Sequence, residues 1–117
     1  MEEIIQMIVN AIHVGDIIQR PQSNSHILSL NADANNNNFI RYSIGQHGNR
    51  GDVSINEIVI SYNQLIDTNF FTNDWYIATY PHEYHNHHCT PSIIGGIFVR
   101  LGIAEYIRPG QYQLIQQ

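Results

Sequence analysis

Lysine is absent from this sequence of 117 residues, which leaves five arginines as the strongly basic side chains. The absence excludes Schiff-base chemistry, a phosphate-binding loop built around a lysine, and nuclease sites that require one. Ten acidic residues bring the formal net charge to −5. That balance argues against strong nonspecific binding to nucleic acid, which depends on neutralising several phosphates. Any such contact must therefore use a local patch of arginines.

Cysteine and long apolar runs are equally scarce. The lone Cys89 excludes a disulfide within the chain and fits a reducing compartment. No apolar run approaches the roughly 20 residues that span a bilayer. The start at Met1–Met7 lacks the basic residues of a signal peptide. We therefore expect a cytoplasmic protein with no membrane partner.

The length and a hydrophobic content of 43% predict a single domain over residues 1–117 with its own packed core. Isoleucines at helical spacing predict an amphipathic helix over 3–13. Residues 16–25 are interpreted as a loop. Alternating apolar and polar residues then predict a hairpin over about 26–44, followed by a glycine-rich loop at 46–52.

The clearest helix signal lies at Ser54 and Glu57, which form a capping-box pattern and predict a helix over 54–67. Residues 68–89 are apolar at first and then rich in histidine, so we interpret them as a short strand near 75–80 and a histidine-rich loop at 81–89. Thr90-Pro91 begins a predicted helix over 91–101, and Gly102 suits its left-handed end. A hairpin over 104–115 follows, with Pro109-Gly110 as its turn.

A short helix leading directly into a hairpin is typical of the end of a winged-helix domain. We therefore predict an α+β fold, a small winged-helix-like domain of three helices with β-hairpins. Gly95-Gly96 within the last helix costs about 1 kcal/mol per glycine relative to alanine. Such a pair indicates that a neighbour, either a packed element or a phosphate, closely approaches the backbone. Packing, for example by the helix over 54–67, is the favoured interpretation.

The segment from His82 to Cys89 concentrates four histidines and the thiol in eight residues. Imidazoles and thiolates are ligands that zinc prefers, and His82, His85 and Cys89 are spaced to converge on one turn. Structural zinc sites usually separate their ligands into two pairs, however. A polar loop without a cofactor is therefore the favoured interpretation, with zinc as the alternative.

The sequence gives only weak signals for an anion-binding site or for nucleophilic catalysis. The loop over 46–52, with His47 and Arg50, has the composition of an anion site, but its glycines also suit a plain turn from strand to helix. Cys89 lies directly beside histidines, and residues in succession rarely form a nucleophile–base pair. Nothing in the sequence marks an enzyme.

Three stretches carry a family resemblance: the R-Y-S-I-G strand with its Gly-Asn-Arg loop, the helix from Ser54 to Leu65, and C-T-P-S-I-I-G-G-I-F-V-R-L-G from Cys89 to Gly102. Together they resemble a winged-helix-like helix–hairpin domain attached to restriction-type nucleases and other DNA-processing proteins. The resemblance implies a DNA-binding or accessory role, in a setting such as restriction–modification. The implied contact residues are Arg41, Asn49, Arg50, Ser92, Arg100 and Arg108.

The leading hypothesis is thus a non-enzymatic domain that binds DNA or a protein partner. Because the net charge is negative, a homodimer that combines two arginine patches is expected to help. A first alternative is a metal-binding domain or metal-dependent hydrolase centred on the histidine cluster, with Glu83 as general base. A second alternative is a module for protein–protein oligomerisation.

Overall fold

A computed structural model describes residues 2–21, 24–31, 38–44 and 49–115. The five described helices are α1 (Glu2–Ala11), α2 (Ile55–Thr68), α3 (Asn73–Thr79), α4 (Pro81–Asn86) and α5 (Thr90–Arg100). The seven described strands are β1 (Ile17–Gln19), β2 (Asn24–Asn31), β3 (Phe39–Ile44), β4 (Asn49–Ser54), β5 (Phe70–Thr72), β6 (Ala104–Arg108) and β7 (Gln111–Leu114). The fold is therefore α+β, as predicted.

The strands form two antiparallel sheets. The first has the order β1-β2-β3-β4, and the second has the order β5-β7-β6. In the second sheet, the strand that follows α2 pairs with the last strand of the chain. Helix α5 packs against β1 of the first sheet and β6 of the second, so it lies between two strands at sheet edges.

The core is built around one face of the first sheet and the helices that cover it. Ile40, Tyr42 and Val53 supply the buried face of β3 and β4. Helix α5 contributes more than any other element, because eight of its eleven residues are buried. They are Thr90, Pro91, Ile93, Ile94, Gly95, Gly96, Ile97 and Phe98. An α-helix with so little free surface serves mainly as a packing element.

Local sequence signals fix the start of α2 and the end of α5. The Ser54 hydroxyl accepts from the Glu57 amide at 3.0 Å, and the Glu57 carboxylate accepts from the Ser54 amide at 3.0 Å. At the end of α5, Gly102 has a φ of +78° and donates to Val99, while Ile103 donates to Phe98. These two bonds form the Schellman motif, in which the residue with the left-handed backbone conformation is usually glycine.

The prediction for the second part of residues 68–89 is wrong, because most of residues 73–86 are helical. The predicted strand near 75–80 is α3, and the predicted histidine-rich loop at 81–89 contains α4. The Thr72 hydroxyl accepts from the Trp75 amide and begins α3, and Pro81 occupies the first turn of α4, where its missing N–H costs nothing. The described residues hence contain five helices instead of the predicted three.

Two predicted loops also contain strands. Residues 16–25 include β1, and β4 takes up residues 49–52 of the predicted glycine-rich loop, whose other part at 46–48 lies outside the described residues. Gly51 lies against the Tyr42 ring, which leaves no space for a side chain at that point of β4. The longest helix in the described ranges has 14 residues, and none is long and apolar enough to cross a membrane.

Candidate nucleic-acid interface

The glycine pair of α5 is closely packed on both sides. A methyl group at Gly96 would lie 2.5 Å from Cγ2 of Ile18 and 2.8 Å from the Gln19 carbonyl oxygen, so β1 rests directly on the helix backbone. A methyl group at Gly95 would overlap the Tyr112 ring of β7. The expectation that packing explains this pair is confirmed, although the neighbours are β1 and β7 instead of α2.

A groove follows α5 between β1 and the β6–β7 hairpin. It consists of three adjoining pockets of about 400, 290 and 240 Å³. Gln19 and Val99 line the first two pockets, and Arg20 and Pro21 line the last two. We call these three neighbouring pockets, which share lining residues, the α5 groove. Its remaining lining residues are Ile17, Asn24, Asn73, His88, Cys89, Ser92, Gly96, Arg100, Tyr106, Pro109, Gly110 and Tyr112.

Arg100 holds β1 at one end of the α5 groove. Its Nη2 lies 3.2 Å from Oδ2 of Asp16, and its Nη1 donates to the Ile17 carbonyl oxygen at 3.4 Å. The Arg100 side chain remains about two-fifths exposed, at 41%. It therefore supports the groove and still presents part of its guanidinium to solvent.

Aromatic rings form the wall on the hairpin side. Tyr106 is 45% exposed and meets the Tyr112 ring edge-on, with centroids 5.9 Å apart. Burial raises the pKa of Tyr112 to about 12; Tyr106 adds to the increase, and the positive charge of Arg20 opposes it. The groove thus combines an exposed ring, a buried neutral phenol and a guanidinium within electrostatic reach.

At the other end of the groove, hydrogen bonds fix the start of α5. The Tyr42 and Thr90 hydroxyls are 2.9 Å apart, and the Ser92 hydroxyl donates to the Cys89 carbonyl oxygen at 2.8 Å. The backbone N–H of Asn73 donates to the Gly110 carbonyl oxygen at 2.9 Å, which fixes the hairpin turn against α3. The groove is consequently bordered by elements that tertiary hydrogen bonds hold in place.

A buried polar cluster lies behind this end of the helix. Glu57 is 8% exposed, and its carboxylate accepts from the Ser54 hydroxyl and from the Tyr76 hydroxyl. Burial raises the pKa of Tyr76 strongly, with its bond to Glu57 adding to the effect, and burial raises the pKa of Tyr42 to about 12. The cluster joins α2 to α3. None of these hydroxyls lines the groove, so the cluster is structural.

The structure separates the six predicted contact residues into two groups. Arg41 and Arg50 alternate with buried residues of β3 and β4, so they lie on the outer face of the first sheet, and Asn49 is exposed at the start of β4. The Arg41 Nε donates to Asp52 at 2.8 Å, and this bond raises the pKa of Arg41. Because α5 packs on the inner face, Arg41 and Arg50 cannot share one contact surface with α5.

The second group lies around the α5 groove. Ser92 and Arg100 line it, and Arg108 lies on the hairpin between Tyr106 and Pro109, which both line it. In the part of the chain that the structure describes, no carboxylate pairs with Arg108. Ser92 and Arg100 are therefore placed at the groove, and Arg108 lies on the strand that borders it.

Sequence reasoning missed Arg20 and Tyr106 as members of this surface. Arg20-Pro21 directly follows β1, which was interpreted as a loop, and Tyr106 was assigned only to the hairpin. The scarcity of arginine was the available signal, because each of only five arginines is a candidate for any anionic ligand.

The predicted metal ligands are not brought together. His82 is exposed and contacts Asn86, whereas His88 stacks on the Tyr84 ring with centroids 4.8 Å apart. Among the described residues, which include His82, His85 and Cys89, no three histidine, cysteine or carboxylate side chains are placed to hold a metal ion. Zinc binding stays a prediction that this arrangement does not support.

Comparisons with protein-family models, with curated proteins and with solved structures return no significant match to this chain. The functional argument consequently rests on the geometry and chemistry of the α5 groove.

Proposed function

We propose that this chain is a non-enzymatic, winged-helix-like domain that binds nucleic acid through the α5 groove and acts as an accessory domain of a DNA-processing system. The observation that carries the proposal is the clustering of arginine. Arg20 and Arg100 line the groove and Arg108 lies on its bordering hairpin, so two of the five arginines line one concave surface and a third lies beside it in a chain with a net charge of −5. Local positive charge of this kind attracts a phosphate backbone.

The order of elements supports the winged-helix-like part of the proposal. From α2 onward the chain runs helix, strand, two short helices, helix and hairpin, and the first strand pairs with the last in the order β5-β7-β6. A winged-helix domain has the same order with a single helix where α3 and α4 stand. In this comparison α5 corresponds to the recognition helix and β6–β7 to the wing.

The mode of contact must differ from that of a typical winged helix. A recognition helix enters the major groove with an exposed face, but β1 covers the face of α5 at Gly96. Only Val99 and Arg100 are exposed on α5. The proposed contact therefore uses the rim of the groove and the Arg108 hairpin, with α5 as the support.

The test is an anisotropy titration of labelled DNA at about 50 and about 200 mM salt. Arg108→Gln is expected to weaken binding several-fold and to reduce the salt slope by about one, because it removes one phosphate contact. Arg50→Gln is the matched control: it removes the same charge from an exposed arginine outside the groove. Equal losses in the two variants, or no binding by the unaltered protein at low salt, would overturn the proposal.

Exposed apolar side chains around the same groove favour a second candidate, a protein partner. Ile17, Val99 and Tyr106, which line its pockets, are each at least 36% exposed. Clusters of this kind are typical of protein-binding surfaces. A concentration-dependent molecular mass that falls in the Val99→Ser variant would support self-association through this surface.

A further inference from the structure

We infer that the nucleic acid which fits the α5 groove is single-stranded, with a base stacked on Tyr106 and the phosphates directed toward the arginines. This inference rests on the function proposed above and names its ligand class. It also adds a specific contact, because Tyr106 was not among the residues implied by the sequence.

The shape of the α5 groove does not suit a DNA duplex. Duplex readout in the major groove needs an element that projects into a channel about 12 Å wide. Helix α5 does not project, since Ile18 and Gln19 lie in contact with its backbone at Gly96. The surface there is concave instead, with pockets of about 400, 290 and 240 Å³ in succession. A separated base can enter such a pocket, whereas paired bases within a duplex cannot.

The lining of the α5 groove suits a single strand. Single-strand binding without sequence preference combines a cationic channel with aromatic faces on which bases stack. The central pocket is lined by Tyr106, Pro21 and Val99, which supply apolar contact, and by Arg20. Tyr106 is 45% exposed, while its edge contact with Tyr112 fixes the ring. A fixed and exposed ring loses little entropy when a base stacks on it.

Positive charge is distributed along the α5 groove. Arg100 lies at one end of the groove, Arg20 lines the central and last pockets, and Arg108 lies in the hairpin beside the last pocket. Asp16 contacts this row through its ion pair with Arg100. Cations spaced along a channel match the regular phosphates of an extended strand better than a single compact anion.

The experiment compares a labelled oligothymidylate of about 12 nucleotides, a length within the range for one single-strand-binding domain, with a duplex of the same length. We expect the single strand to bind more tightly. Tyr106→Ala should weaken single-strand binding about tenfold, which corresponds to one lost stacking contact, whereas Tyr106→Phe should retain affinity within about twofold because it keeps the ring.

Ile107→Ala is the matched control. It truncates a neighbouring residue of β6 that is 40% exposed and lines none of the three pockets described, so its affinity should be unchanged. Circular dichroism and melting of each variant establish that folding is retained. Loss of affinity in Ile107→Ala equal to that in Tyr106→Ala would indicate a general effect on the hairpin and overturn the stacking contact.

The outcomes separate this inference from the function on which it rests. Duplex binding that equals or exceeds single-strand binding overturns the inference and leaves the nucleic-acid function standing. Binding of neither oligonucleotide at low salt overturns both. Tyr106-dependent binding of a polyglutamate peptide, with no oligonucleotide binding, also overturns both and assigns the groove to an acidic protein partner.

Discussion

At the scale of single residues, the buried tyrosines show how polar groups are accommodated in this core. Tyr42 is fully buried and shares a hydrogen bond with Thr90, whereas the buried hydroxyl of Tyr112 has no hydrogen-bond partner within the described ranges. A buried hydroxyl with a partner contributes about 1 kcal/mol, and one without a partner costs free energy. The two phenols should therefore respond in opposite ways to removal of the hydroxyl.

We predict that Tyr112→Phe leaves the free energy of unfolding at about pH 8 unchanged within about 0.5 kcal/mol or raises it, because no hydrogen bond is lost. Tyr42→Phe should lower it by about 1 kcal/mol, since Thr90 then loses its partner. Urea unfolding of both variants and the unaltered protein measures the difference. Equal destabilisation by the two substitutions would contradict the account.

The same phenols predict how stability depends on pH. The pKa values of Tyr42 and Tyr112 are raised to about 12 in the folded state, against about 10 in an unfolded chain. Above about pH 10 the unfolded chain releases these protons while the folded state keeps them, so the free energy of unfolding falls as the pH rises toward 12. Tyr112→Phe should reduce this fall, as measured by urea unfolding at about pH 8 and about pH 11. If the free energy of unfolding fell with pH as steeply in Tyr112→Phe as in the unaltered protein, the raised pKa of Tyr112 would be contradicted.

At the scale of elements, the contact between β1 and α5 distinguishes this fold from a plain helix–hairpin domain. It depends on Gly96 and on the bonds from Arg100 to Asp16 and Ile17. β1 is a strand of three residues at a sheet edge, so these contacts contribute much of what keeps it in place. The α5 groove exists only while β1 remains on the helix.

We predict that Gly96→Ala destabilises the protein by about 1–3 kcal/mol through overpacking, despite the roughly 1 kcal/mol that alanine gains over glycine in a helix. Hydrogen exchange should show lost protection in β1 and retained protection in α2. Gly102→Ala is the control: nothing lies within 4 Å of its added methyl group, but its φ is +78°. It should cost about 1 kcal/mol through backbone strain alone and leave β1 protected. A Gly96→Ala protein as stable as the unaltered one would refute the contact.

At the scale of the whole molecule, the sequence predicted the parts that are encoded locally. Ser54 with Glu57, Gly102, and Pro109-Gly110 each act within a few residues, and the corresponding helix start, helix end and hairpin turn lie where the patterns indicated. The α+β class followed from these elements. Local signals were ambiguous at Trp75–Tyr80, where aromatic residues favour strands but the cap at Thr72 begins a helix.

The candidate site was harder to predict from the sequence, because it depends on contacts between segments that are distant in the chain. Gly96 was singled out as a close approach, but its neighbour Ile18 lies far away in the chain and in a segment interpreted as a loop. The family resemblance likewise grouped Arg41 and Arg50 with Arg100, although Arg41 and Arg50 lie on the outer face of the first sheet. Of the six implied residues, Ser92 and Arg100 line the groove, whereas Arg20 and Tyr106 were found there only through the structure.

The most direct measurement of the central claim is amide chemical-shift mapping of the protein titrated with oligothymidylate. The account predicts that the largest shifts fall on the groove segments 17–20, 96–100 and 106–110, with little change at Arg41 and Arg50 on the outer face of the first sheet. Shifts concentrated on that outer face, with the groove amides unchanged, would contradict the assignment of the α5 groove as the nucleic-acid interface.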